Sequence, residues 1–265
     1  MGLSEGEILT PVSTADAVQA FGDGRDVTVF AGGTILMPMI AYGRYPSRGR
    51  TLMLGRAGLN RISEDGRVEI GAMTTLAALA DSGLEPLATA ASDVADAEIR
   101  AQATLGGNLC APPSPDGPRG DLQGALIALG ARVRTVGPGG ERTEAVEDFL
   151  DAADSRLVVE VELDEPRRAG HASVRRPHAH SYTILSVCAA ETADGVRIGM
   201  TGAGPHGVRA RSVEAAFDGG ASPDEAAKSV LQDAKPQDDA LASAWYRERM
   251  LPVLVRRALE DMNHA

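Results

Sequence analysis

The chain has 265 residues, is 43% hydrophobic and 24% charged, and carries a formal net charge of −11. That length accommodates one large domain or two medium ones with ample core, and the acidic balance excludes the sequence-independent grip on nucleic acid that needs a basic face. No apolar run reaches membrane-spanning length.

Residues 26–30 read as a short strand running into the glycine turn Ala31-Gly32-Gly33-Thr34, and residues 36–42 as helix. Further strands are expected at 51–54 and 67–70. Thr74 or Thr75 is placed to cap a helix reaching Asp81, because a threonine hydroxyl accepts from the orphan amides of a first turn. Residues 84–96 are alanine-rich and helix-like, and a second glycine turn follows at Thr104-Leu105-Gly106-Gly107-Asn108. The stretch 111–120 is a proline- and glycine-rich loop, after which Asp121 opens an apolar helix over 122–129. A strand is expected at 131–136, a turn at 137–140, a helix at 144–150 and an alternating strand at 156–163. Composition shifts at 164–170. Beyond it come strands at 172–176, 182–191 and 196–201, with Asp194-Gly195 as a hairpin signal, then helices at 208–217, 223–232 and 243–261. Strands followed by helices without alternation indicate an α+β tail.

Two cysteines, Cys110 and Cys188, cannot build a disulfide framework or provide the ligand set of a zinc or iron–sulfur site, and in apolar surroundings both read as buried inert thiols. The segment before Glu7 has no basic run, so no secretory leader is expected and the protein reads as cytoplasmic. Gly202-Ala-Gly204-Pro-His-Gly207 matches the spacing of a dinucleotide fingerprint, yet a polar, turn-rich stretch stands where the second strand and its acid belong. It reads as a strand-to-helix turn. His171, His178, His180 and His206 sit in loop-like sequence without the further ligands a metal site requires. No nucleophile elbow, cysteine–histidine pair or P-loop lysine is present. What remains is the pair of glycine turns. Glycine lets backbone approach a ligand closely, and successive amides then form an anion nest, so two such turns from distant parts of the chain point to a phosphate-bearing cofactor held between them.

These residues resemble those of the FAD-binding medium subunits of molybdenum hydroxylases, the family of xanthine, carbon monoxide and aldehyde dehydrogenases. The resemblance rests on Ala31-Gly-Gly-Thr-Ile-Leu-Met-Pro38 with Tyr42-Gly-Arg, on Ile70-Gly-Ala-Met-Thr-Thr-Leu76, and most specifically on Thr104-Leu-Gly-Gly-Asn-Leu-Cys110. Gly202-Ala-Gly-Pro with Arg209 and Glu214, and Trp245-Tyr-Arg with Val255-Arg-Arg-Ala258, extend it through the tail. It implies an α+β fold: a two-lobed FAD-binding domain of the PCMH type over residues 1–165, then a smaller sheet-plus-helices domain over 166–265. It puts the FAD diphosphate in the segment Ala31, Gly32, Gly33, Thr34 and Ile35 and against Gly106 and Gly107, with side-chain bonds from Thr104 and Asn108. Ile35 stands where the family commonly has a polar residue. An aspartate near the ribityl chain is implied as well. The loop is about four residues longer than the family pattern, so counting forward gives Asp116 and counting back from the helix gives Asp121, the preferred assignment. Leu157 and Tyr182 fall where the family brings side chains to the isoalloxazine ring. The resemblance further implies a molybdopterin-binding large subunit and a [2Fe–2S] small subunit as partners, in a dimer of heterotrimers, with no nucleic acid and no membrane insertion. The implied role is electron relay from [2Fe–2S] through FAD to NAD⁺, a quinone, oxygen or another acceptor. The alternatives are a standalone flavin oxidoreductase and an assembly subunit that has lost FAD.

Overall fold

The computed structural model describes residues 6–44, 49–113, 120–152, 155–176 and 183–265. The first lobe is a small parallel sheet. Strand β1 (Glu7–Leu9), helix α1 (Thr14–Phe21), strand β2 (Val27–Phe30), helix α2 (Leu36–Ala41) and strand β3 (Arg50–Met53) assemble with strand order β1-β3-β2. Ser13 caps α1 by accepting from the Asp16 amide at 3.1 Å. Ala17 and Phe21 on α1 are buried with Leu52 and Val27, and Leu157 and Val159 from the next lobe close the same core.

The second lobe follows a different plan. Strands β4 (Ile62–Ser63) and β5 (Val68–Gly71) lead into helices α3 (Leu76–Ala80), α4 (Leu87–Ser92), α5 (Ala97–Gln102), α6 (Leu105–Leu109) and α7 (Gln123–Ala128). Strands β6 (Arg132–Gly137) and β7 (Gly140–Ala145), helix α8 (Val146–Asp151) and strand β8 (Leu157–Leu163) complete it, giving an antiparallel sheet ordered β4-β5-β8-β6-β7. Thr75 caps α3 as expected, its hydroxyl accepting from Ala78 at 3.2 Å. The helix expected over 84–96 is shorter: α4 runs only from Leu87 to Ser92, with Pro86 at its N-cap, and Asp96 caps a separate helix α5 beyond it through the Ile99 amide at 2.8 Å.

The remaining chain forms a four-stranded antiparallel sheet, β12-β11-β10-β9, from β9 (Arg168–Arg175), β10 (Thr183–Thr192), β11 (Gly195–Thr201) and β12 (Val208–Arg209). Helices α9 (Arg211–Asp218), α10 (Pro223–Ala227) and α11 (Ala244–His264) share a core with it. The helix expected from residue 208 therefore begins three residues later, because Val208 and Arg209 pair with β11. Likewise β9 starts at Arg168, inside the stretch expected as a junction. Arg247 on α11 is 1% exposed and uses its whole guanidinium: it donates to the carbonyls of Ile184, Gln237 and Ala242 and to both oxygens of Asp239 at 2.8 and 2.9 Å. A buried charge so completely partnered staples the 237–242 loop to the helix.

The second lobe and the last sheet meet through α7. Gly124 and Gly199 face each other so closely that a β-carbon on Gly199 would collide with the Gly124 carbonyl. The Thr201 hydroxyl accepts from the Gly124 amide at 3.0 Å and donates to the Asp121 carbonyl at 3.2 Å. A second seam lies between α4 and β9: Asp93 accepts from the Ser173 hydroxyl at 2.6 Å and pairs with Arg175 at 3.0 Å. His171 is buried beside it and is no loop residue. Burial pushes its imidazole below the ordinary range, against the opposing pull of Asp93, Glu85 and Asp261.

Two outcomes follow for stability. Gly199→Val should lower the unfolding free energy by about 3 kcal/mol, read from the urea midpoint. Folded His171 stays neutral where the unfolded chain takes up a proton, so stability should fall as pH drops below about 6.5. A His171→Gln variant should show a flatter midpoint between pH 7 and 5.

Candidate cofactor site

The first glycine turn leaves the end of β2 and enters α2. Gly33 has φ +76°, a conformation that side chains resist, and a β-carbon there would stand 2.6 Å from the Phe30 ring. Gly33 accepts from the Met37 amide at 2.8 Å, which starts α2. Ile35 stands at the N-cap and supplies no side-chain bond. Among the described residues, the amides of Gly32, Gly33, Thr34 and Ile35 meet no acceptor. A run of free amides around a left-handed glycine is the backbone pattern from which an anion nest is built.

The second turn proves to be helix rather than open turn. Thr104 caps α6, its hydroxyl accepting from Gly107 at 3.2 Å. The Leu105 and Gly106 amides donate to the carbonyls of Thr74 and Ala72 at 2.9 and 2.8 Å, and the Asn108 amide closes the helix onto the Thr104 carbonyl. The Asn108 side-chain oxygen accepts from the buried Leu122 amide at 2.9 Å. The two turns therefore do not contribute alike. At the first, amides are free; at the second, the amides of Gly106 and Gly107 already have acceptors inside the protein.

What the second turn supplies is proximity. A β-carbon on Gly32 would collide with the Gln102 carbonyl, and one on Gly107 would lie 3.0 Å from the Thr104 hydroxyl and 3.8 Å from the Ala31 β-carbon. Glycines on both sides thus let the end of α5 and the start of α6 rest directly on the Ala31–Gly33 backbone. The structure brings the two segments together although about 70 residues separate them.

The other expected residues are scattered. Asp121 precedes α7, whose N-cap is Leu122, and its carbonyl accepts from the Thr201 hydroxyl at 3.2 Å. Leu157 is 2% exposed and packs in the first-lobe core, opposite Val136 on β6. Asp116, Tyr182, His178 and His180 lie outside the described residues. Cys188 is buried, and burial drives its thiol above the ordinary range; the Cys110 residue reaches the surface, yet surrounding protein pushes its thiol up to about 12. Among the described residues no group of histidines, cysteines and acids is arranged to hold a metal ion, and no helix is long and apolar enough to cross a membrane.

The segment from Gly202 to Gly207 is a strand-exit loop, as the missing second strand indicated. With Gln123, Asp238, Asp239 and Arg247 it lines a cavity of about 310 Å³. Gln123 was not singled out in the sequence, yet its amide group joins three elements, donating to the Leu109 carbonyl at 2.9 Å and accepting from Gly207 at 2.7 Å. Ala72 was also overlooked as a site residue. Its motif, Ile70-Gly-Ala-Met-Thr-Thr-Leu76, was the available signal: Ala72 takes a bond from Gly106 and gives one to Val159 on β8 at 2.9 Å, locking the second turn to the sheet.

Comparison with known proteins places these features in context. Residues 4–164 match the family described as FAD binding domain in molybdopterin dehydrogenase, and residues 168–262 match the CO dehydrogenase flavoprotein C-terminal domain. The chain is similar to the carbon monoxide dehydrogenase medium chain of Hydrogenophaga pseudoflava, at 28% identity over 96% of this chain and 95% of that one. It is similar to the nicotine 6-hydroxylase medium subunit of Paenarthrobacter nicotinovorans, at 28% identity over 95% of each. The fold superposes on a chain of the crystal structure of Cu,Mo-CO dehydrogenase in its cyanide-inactivated form with a TM-score of 0.83 and 27% identity, covering 100% of this chain and 99% of that one.

Asn108 can be tested apart from any ligand. Asn108→Leu strands the buried Leu122 amide, so in flavin-free protein it should cost about 2 kcal/mol of stability, measured by chemical denaturation.

Proposed function

We propose the following function from one premise: the chain belongs to the family of FAD-binding medium subunits of the molybdenum hydroxylases. On that reading it is the flavin-carrying oxidoreductase component of such a complex, with FAD-binding residues 1–165 and a C-terminal domain over 166–265. The observation that carries the reading is the run of free amides from Gly32 to Ile35, set against the glycine-bearing start of α6.

The residues present fit the group. A diphosphate is a dianionic bridge that needs converging donors and no β-carbons in its way, and the left-handed Gly33 nest provides both. Gly32, Gly33, Thr34 and Ile35 would hold it by main-chain donation. Gly106 and Gly107 would border it by close approach, and the Thr104 hydroxyl, which accepts from Gly107, retains a proton to donate. Ala31 forms the floor where the two turns touch. Asp116 or Asp121 is assigned to the ribityl chain and Leu157 and Tyr182 to the ring system on the family resemblance. When bound, FAD supplies the redox chemistry, taking electrons from a [2Fe–2S] chain and passing them to NAD⁺, a quinone, oxygen or another acceptor.

This chain's own work is therefore binding and orientation. It needs no acid–base pair, which accords with the lack of a nucleophile or dyad in the sequence. Substrate oxidation would belong to a molybdopterin-binding large subunit and cluster chemistry to a [2Fe–2S] small subunit, in a dimer of heterotrimers. A retained amide nest weighs against a scaffold that has lost its flavin.

Gly33→Val forces a branched side chain into a left-handed position and against Phe30. Flavin absorbance per chain in the purified protein should fall at least tenfold while the far-ultraviolet circular dichroism stays unchanged. Wild-type flavin content in that folded variant would overturn the reading.

A further inference from the structure

A cavity of about 230 Å³ opens where the residues leading into α4, the strand β9 and the end of α11 meet. Glu85, Pro86 and Thr89 line it from the second lobe, His171 and Asp261 from the C-terminal sheet and its last helix. Strand β9 is the edge of its sheet, so the outward His171 amide donates to Asp261 Oδ2, at 2.9 Å, rather than to another strand. None of these residues belongs to the glycine turns.

Hydrogen-bond accounting leaves three open acceptors here. Glu85 takes the Thr89 amide on Oε2 at 3.2 Å, and Asp261 takes the His171 amide on Oδ2. Glu85 Oε1 and Asp261 Oδ1 have no donor among the described residues. The His171 side chain is 8% exposed, and its Nε2 has no hydrogen-bond partner, with Asp93 Oδ2 standing 3.8 Å away. A buried polar atom in that condition is a cost that a ligand relieves. Burial holds the imidazole neutral, and with its proton on Nδ1 it offers a lone pair at Nε2.

The electrostatics point the same way. Asp93, Glu85 and Asp261 all act on the imidazole, while the nearby Arg175 is already paired with Asp93 at 3.0 Å. Among the described residues no lysine or arginine lines the cavity. Glu85 and Asp261 are exposed and His171 is buried, so the acids stand at the opening and the imidazole behind them. A metal ion needs ligands converging on one point, and among the described residues no such group exists. A primary ammonium needs less: it carries one positive charge and three separate N–H donors.

We propose that this cavity binds a small primary alkylammonium ion, its three N–H groups shared among Glu85, Asp261 and His171 and its stem against Pro86. The bound amine bridges the second lobe and the C-terminal sheet, and so tightens the seam between α4 and β9.

The test titrates the full chain with n-butylammonium chloride at constant ionic strength. The ring resonances of His171 are followed in histidine-labelled protein and assigned by their loss in His171→Gln. Butylammonium should shift them saturably and raise the melting temperature along the same binding curve. Tetramethylammonium, which has the charge but no N–H, should do neither. Glu85→Gln and Asp261→Asn each retain an acceptor for the amide that the carboxylate holds. Both should fold as the wild type does and bind butylammonium at least tenfold more weakly. The absence of a saturable His171 shift overturns the proposal, as does an equal response to tetramethylammonium or wild-type affinity in either carboxamide variant.

Discussion

The organisation of this protein depends on one backbone-to-backbone contact: the Ala31–Gly33 segment lying against Gln102, Ala103 and the start of α6. Two lobes of unlike construction, one parallel and one antiparallel, meet there without a side chain between them. Close packing leaves no slack at such a point, so Gly32 and Gly107 are selected for what they lack. The same contact explains why the motif at 70–76 belongs to the site. It holds α6 in place through the carbonyls of Ala72 and Thr74, and Ala72 is anchored in turn to β8.

A division of labour between the two turns follows from hydrogen-bond accounting. Buried amides need acceptors, and in α6 they find them within the helix and in the neighbouring Ala72–Thr74 turn. At Gly32 to Ile35 the backbone is half-buried and its donors are left open. An anion is the natural complement of that opening. The rigid, fully bonded turn serves as the wall against which the open one works.

The C-terminal sheet is joined with the same economy. Gly124 and Gly199 allow helix and strand to touch, Thr201 bonds on both sides, and Gln123 reaches from α6 to Gly207. The fingerprint-like glycines at 202, 204 and 207 serve this joint and the adjoining cavity. Their resemblance to a nucleotide motif arises because any strand that must leave a sheet and pass close to a helix favours glycine. By contrast, the apolar α2 buries none of its residues.

Much of this was legible in the residues alone. Local chemistry determined the strand before the first turn, the Thr75 cap, the Asp194-Gly195 hairpin and the long last helix, because each depends on neighbours within a few positions, whereas the segment before the second turn is the helix α5. The glycine pairs announced a close approach, and the motifs announced the family. Other features were decided only by packing. Val208 and Arg209 became strand because β11 offered an edge, and α4 and α5 separated where the capping aspartate Asp96 outweighed alanine propensity. Whether an amide is free or bonded is likewise a tertiary property: Gly33 and Gly106 look alike in sequence, yet only Gly106 has a carbonyl, that of Ala72, folded against it.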